Sequence, residues 1–282
     1  MTTIINVGYS IILVQALLKN YFNFVFFNVE KWGLANGRIR MPDLSSFAIL
    51  LLIFNWYKFL CHTARKKNVF AIALIVAVTI YVDRGRVQIL TMLLTLFLML
   101  LFYNQKKVNK VFLWSITIIS SAIALSSGLI TTYLSQFTEA NNGISTTNRL
   151  KELEFYLGKF TEHKFFGIGL VPEHNIYDLM GISSAGNMNP YDIGIFGSLG
   201  VLGLGVIIIY GIVLVRWGII CKKTMSNSKY DKEGILLLGI FAHALLSSFT
   251  MIVLNYVRIP VFPFYIAIFE YFNYLQKYNV GP

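Results

Sequence analysis

Charge is scarce in this chain, and acid is scarcer still. Of its 282 residues 13% are charged, with 13 Asp and Glu against 24 Lys and Arg. A soluble domain of similar size carries about a quarter charged residues, so this shortage excludes an ordinary water-soluble globule. The two cysteines, Cys61 and Cys221, lie far apart at expected cytoplasmic helix ends, which excludes a disulfide framework. No Cys/His cluster offers zinc ligands. No Asp-x-Asp occurs, which argues against a metal-held nucleotide sugar, and no Gly-x-Ser-x-Gly elbow is present. Glu152 and Glu154 are two apart, so a helix points them to different faces. Gly167-Ile-Gly169 lacks the third glycine and the strand-to-helix setting of a phosphate loop. Met1-Thr2-Thr3 lacks a positive n-region, and no cleavage site follows, so the first apolar run reads as a retained anchor. There is no internal repeat.

What the chain has in abundance is apolar length. It is 56% hydrophobic, with a mean hydropathy of +0.64. The net charge of +11 arises from basic residues beside apolar runs, the pattern of topology determinants rather than of a nucleic-acid surface. A bilayer core of about 30 Å needs roughly 20 apolar residues per helix. Candidate spans are 3–18, 43–61, 69–83, 86–103, 111–134, 191–215, 234–254 and 257–275. Three loops carry basic clusters: Arg65, Lys66 and Lys67; Lys106, Lys107 and Lys110; and Arg216 to Lys232. With eight spans all three face the cytoplasm, and so do both termini. The expected fold is all-α, a polytopic membrane helix bundle of about eight transmembrane helices forming one integral membrane domain over 1–282. The outward segments are then 19–42, the 84–86 turn, a large loop at 135–190 and a short turn near 255–258. The aromatic stretch Tyr21 to Phe27 suits a headgroup layer. Gly194, Gly197, Gly200 and Gly203, each three apart, form a small-residue stripe for close helix approach.

The ionisable residues of interest gather on the outer side: Arg84, Arg86, Arg149, His174 and Arg258. Asp83-Arg84-Gly85-Arg86 follows Val69 to Val82, about 21 Å of helix. That is less than the core thickness, so the turn sits below the outer surface. Two readings stand there: arginine holding a phosphate in a cavity, or arginines snorkelling to headgroups with Asp83 as partner. Further on, Leu150, Leu153, Leu157 and Phe160 recur at helical spacing, predicting an amphipathic helix capped by Thr147 or Asn148. Arg149 would fall in its first turn, where a cation opposes the helix dipole, and an anionic partner would explain it. The alternative is a solvated surface arginine. His174 lies in a Gly- and Pro-punctuated loop, as a general base near neutral pH or as a structural residue. His62 and His163 read as surface residues, and His243 as a polar group inside the bundle.

In order and topology these motifs resemble the O-antigen ligase and Wzy-type polysaccharide polymerase superfamily, from about Arg38 to the end of the seventh span. The residues that carry the resemblance are Asp83-Arg84-Gly85, Arg149-Leu-Lys-Glu-Leu153, His163-Lys-Phe-Phe-Gly-Ile-Gly169, His174-Asn-Ile-Tyr177 and the glycine-rich Asp192-Ile-Gly-Ile-Phe-Gly. Lys164 stands where the family commonly has proline and Asp83 where it has serine, and Arg86 is the alternative match to Arg84. Members usually have further spans upstream, so this is a short member or one lacking its N-terminal part. The resemblance implies a GT-C-like bundle in the bacterial cytoplasmic membrane. It implies a glycosyl transfer without metal or cofactor, using undecaprenyl-pyrophosphate-linked oligosaccharide at the outer face. Polymerisation into capsule, exopolysaccharide or O-antigen is the first reading. A ligase acting on another acceptor is the nearest alternative. A lipid-linked oligosaccharide flippase ranks below it for want of repeats, and a non-catalytic scaffold comes third. By resemblance the catalytic residues are Arg84, Arg149 and His174. The substrate-binding residues are Arg38, Arg40, Arg86, Asn175, Tyr177 and Arg258. The implied partners are the lipid-linked glycan, the bilayer, a flippase and a chain-length regulator.

Overall fold

The computed structural model of the protein describes residues 2–24, 26, 33–35, 38–40, 45–61, 65–79, 86–103, 140–169, 190–249 and 261–278. Their regular secondary structure is helical but for one short hairpin. The helices are α1 (Thr2–Phe22), α2 (Ser45–Leu60), α3 (Arg65–Val78), α4 (Arg86–Phe102), α5 (Ala140–Glu162), α6 (Ile195–Leu202), α7 (Leu204–Ser226), α8 (Asp231–Ser247) and α9 (Phe262–Tyr278), with a 3-10 turn at Pro190–Ile193. Strands β1 (Gly33–Ala35) and β2 (Arg38–Arg40) pair antiparallel, Gly33 opposite Arg40 and Ala35 opposite Arg38. The helical class is as expected, and the hairpin is a small addition to it. The candidate span 111–134 lies outside the described residues.

The chain divides into two compact units. The first is drawn from 1–103, 212–248 and 252–282. In it α2 packs on α3, and α8 packs on α4 and α2. Helices that pack this way need a close backbone approach somewhere along their contact. Gly239 of α8 provides it: a Cβ there would lie 2.5 Å from Met99 Sδ and 2.8 Å from Ile53 Cγ2. Ala16, Ala48, Leu52, Leu74, Ile75, Val78 and Met92 form a second cluster where α1 to α4 converge. Trp217 of α7 is buried and stacks on Phe269 of α9, ring centres 4.8 Å apart. α1 continues past the expected end of its span. It closes at Asn23, whose φ of 55° is left-handed, and Asn23 Oδ1 accepts from Lys19 Nζ at 2.5 Å. The Phe26 N–H donates to Gln15 Oε1 at 2.9 Å, folding the aromatic stretch back on α1. Tyr21, Phe22, Phe24 and Phe26 stay exposed.

The second unit is drawn from 104–211 and 249–251. Its core is α5 against α6 and the 3-10 turn. Phe196 and Phe249 bring their rings to 6.4 Å within it.

Two expected spans change in outline. α3 starts at Arg65, so the basic cluster at 65–67 is its first turn rather than a loop. The run 191–215 is not one helix: it is a 3-10 turn, then α6, then a break at Gly203 (φ 62°, ψ −151°) before α7. Among the described residues one helix, Leu204–Ser226, is long and apolar enough to cross a membrane. Shorter apolar stretches occupy Ser10–Lys19, Phe47–Leu60 and Gln88–Phe102. On α7 the residues Ile208, Ile212, Val215 and Ile219 are exposed, and their spacing puts them on one face.

That helix also carries Arg216, which donates from Nε and Nη2 to the two carboxylate oxygens of Glu270 on α9, at 2.5 and 2.7 Å. In water an exposed pair contributes about 0.2–1 kcal/mol. Both side chains are well exposed, so a double-mutant cycle on Arg216→Gln and Glu270→Gln, read by thermal unfolding, is expected to give a coupling of about 0.2–1 kcal/mol. A coupling above about 2 kcal/mol would place the pair away from water.

Candidate functional site

The motif-bearing segment expected to face outward begins with α5, and here sequence and structure part. The helix starts at Ala140, not after Thr147 or Asn148. The run Asn141 to Asn148 is rich in residues that could equally end or begin a turn, and α5 passes through all of it. Arg149 therefore lies more than two turns in, where the dipole effect has faded. The first-turn argument for an anionic partner falls, although the residue itself is exposed on the helix surface.

The buried face of α5 also differs from the leucine stripe. Glu152 and Tyr156 are buried, whereas Leu150 and Leu157 are exposed. The rotation follows from α6. Gly200 leaves a hollow that Tyr156 fills, and a Cβ on Gly200 would stand 2.7 Å from Tyr156 Cδ1. A hole on the partner decides which residue is buried, and a large aromatic fits it better than leucine. Glu152 and Glu154 do point to different faces, since Glu154 is exposed.

After α5 comes His163 to Gly169. His163 is exposed, as expected of a surface residue. This segment lies against α6 by backbone hydrogen bonds: the Ile168 and Gly169 N–H groups donate to the carbonyls of Gly200 and Val201 at 3.0 and 2.9 Å. Leu204 N–H, just past the break, donates to the Lys164 carbonyl at 2.8 Å. Gly167 has φ +61°, and a side chain there would run into the Val201 backbone. The glycine stripe thus has two uses. Gly197 and Gly200 admit Pro190 and Tyr156, whereas Gly194 and Gly203 are the caps of α6, both at positive φ. The sequence pointed to the stripe and not to Tyr156, Pro190 or Phe165 as what it receives.

The outward side of this unit is apolar: Leu150, Leu157, Phe165 and Phe166 are all exposed. At the end of α5, Lys159 Nζ donates to Glu162 Oε2 at 2.7 Å and holds that carboxyl below its ordinary value. The stabilisation is present above the ordinary carboxylate range and fades as pH falls through it. Both groups reach solvent, so its effect is small.

Of the sequence-derived site residues, Arg38 and Arg40 occupy alternate positions of β2, which packs beside α1. Arg86 is the first residue of α4, and Arg149 is on α5. Arg84, His174, Asn175, Tyr177 and Arg258 lie outside the described residues, as does His62. His243 is buried in α8. Comparison of the chain with family models, with curated proteins and with solved structures finds no match.

Proposed function

We propose that this protein is a metal-independent glycosyltransferase of the bacterial cytoplasmic membrane, which polymerises undecaprenyl-pyrophosphate-linked repeat units into a surface polysaccharide at the outer face. The observation that carries the reading is the order of motifs in an apolar chain. Asp83-Arg84-Gly85 comes first, then Arg149 on a long helix, then His163 to Gly169, then His174-Asn-Ile-Tyr177. The proposed topology has eight spans and cytoplasmic termini. It draws support from the exposed apolar face of α7 and from the exposed Leu150, Leu157, Phe165 and Phe166, which suit a lipid boundary.

The chemistry follows from residue type. A pyrophosphate leaving group carries concentrated negative charge, and the planar guanidinium fork matches phosphate oxygens. Arg84 and Arg149 stabilise the charge that develops as the bond from sugar C1 to the phosphate oxygen breaks. The acceptor hydroxyl forms the new bond at C1 from the opposite face, with inversion. His174 accepts its proton, which requires the neutral imidazole; nearby arginines favour that form. The anchored Gly169 gives the segment leading to His174 a fixed start. Arg38, Arg40, Arg86, Asn175, Tyr177 and Arg258 are proposed to bind the glycan and its phosphates.

The test uses purified protein in lipid with the native lipid-linked repeat unit and no added metal, read on a gel. A ladder of lengths that disappears with His174→Ala, at equal expression and melting temperature, is the expected result. Transfer only to a supplied acceptor would mean a ligase. A ladder unchanged by His174→Ala would remove the histidine from the chemistry. Absence of any transfer would sink the enzymatic reading.

A further inference from the structure

Within the first unit, an open cavity of about 790 Å³ lies where the ends of α7 and α9 come together. Its lining is polar: Lys223, Asn227, Ser228, Asn273, Gln276 and Lys277 are among its residues, and among the described residues no carboxylate lines it. Gln276 is held in place by a hydrogen bond from Nε2 to Thr224 Oγ1. Glu270, one turn before Asn273 on α9, accepts from Asn273 Nδ2 at 3.3 Å, but its charge is already met by the two-pronged Arg216 contact.

Two helix C-termini end here, and each brings roughly half an elementary negative charge. Lys223 and Lys277, in the last turns of α7 and α9, bring two positive charges. The surplus is about one positive charge, surrounded by amide and hydroxyl donors. A phosphate diester carries one negative charge, and a glycerol attached to it presents hydroxyls that amides can bond. In the topology proposed above, the loop after α7 faces the cytoplasm, so the lipid headgroups within reach are those of the inner leaflet.

The geometry points to a binding site for an anionic phosphoglycerol lipid headgroup, held by Lys223 and Lys277 with Asn227, Asn273 and Gln276. This rests on the membrane reading but not on the glycosyl transfer. A basic pocket between spanning helices on the cytoplasmic side is a recurrent way to hold such a headgroup.

The test takes the full chain in detergent micelles and titrates phosphatidylglycerol, phosphatidylcholine or inorganic phosphate, counting bound ligand by native mass spectrometry. Phosphatidylglycerol is expected to bind and phosphatidylcholine is not. Lys223→Gln or Lys277→Gln should weaken binding about fivefold each, and the pair about thirtyfold. Lys222→Gln, exposed but outside the lining, should change little. Equal losses from Lys222→Gln and the pocket variants, or no binding of the lipid, overturn the site. Binding of inorganic phosphate without preference for the lipid overturns the lipid assignment. Sidedness is decided separately with Ser228→Cys in a background of Cys61→Ser and Cys221→Ala. Labelling by an impermeant maleimide only in inside-out vesicles supports the inner leaflet, and labelling of intact cells overturns it. Each of these outcomes is independent of whether a glycan ladder forms.

Discussion

Replacing Arg149 by alanine is expected to slow polymer formation by about a hundred- to a thousandfold, the cost of losing one preorganised charge contact to a transition state. The same change should leave stability within about 0.5 kcal/mol, because the residue is exposed on α5 and the helix buries Glu152 and Tyr156 instead. That separation is what makes the position informative: activity should fall while the fold is unchanged. Arg149→Lys keeps the charge but loses the planar fork, so it should recover only part of the rate. The measurement is single-turnover extension of the lipid-linked repeat beside a thermal melt of the same preparation. Full activity of Arg149→Ala would falsify the role, and a collapsed melting temperature would show a structural one. With α5 extended back to Ala140, helix-dipole opposition no longer accounts for a ligand here. The expectation rests on the motif order and on exposure.

The elements that were legible in the sequence are those whose apolar runs end abruptly. Spans expected at 43–61 and 86–103 became α2 at Ser45–Leu60 and α4 at Arg86–Phe102. The break at Gly203 was not legible, because the run from Ile195 to Val215 stays apolar throughout. Hydropathy carries no information on φ, and glycines three apart serve a helix face and a helix end equally well. The rotation of α5 escaped for a related reason. The leucine stripe reports which residues prefer burial, but Gly200 determines where a hole exists, and that is a property of the pair. The hairpin at Gly33–Arg40 has strands of three residues, too short for an alternation pattern. As to the site, residue chemistry and order were visible from the start. The side chain of Arg149 is the one candidate among Arg84, Arg149 and His174 that falls within the described residues. The polar cavity at the ends of α7 and α9 was missed because Lys223 read simply as a marker of sidedness. Its signal was the amides of Asn273 and Gln276 at the end of a helix that is apolar in its first half.

Gly203→Ala is expected to be among the most damaging single methyls in the second unit. Its φ of 62° with ψ of −151° belongs to a region open almost only to glycine, which costs a side-chain-bearing residue about 1–3 kcal/mol. The added Cβ would also stand 2.5 Å from the Phe165 carbonyl carbon and oxygen and 2.7 Å from the Gly167 nitrogen. These are backbone atoms that cannot swing aside, so overpacking adds about 1–3 kcal/mol. A loss of about 3 kcal/mol or more corresponds to a melting temperature lower by roughly 6–12 °C. Gly211→Ala provides the contrast. It lies inside α7 with nothing within 4 Å of the added atom, and removing a helix-interior glycine should stabilise by about 0.5–1 kcal/mol. If the two behave alike, the break at Gly203 is not an obligatory feature of the fold. The functional consequence follows from hydrogen bonding. A break in a helix leaves backbone polar groups that need partners, and here the Lys164 carbonyl receives the Leu204 N–H. The segment that satisfies the break is thus the one that leads on towards His174. Pushing Phe165 away should move that segment, so Gly203→Ala should impair polymer formation even below its lowered melting temperature.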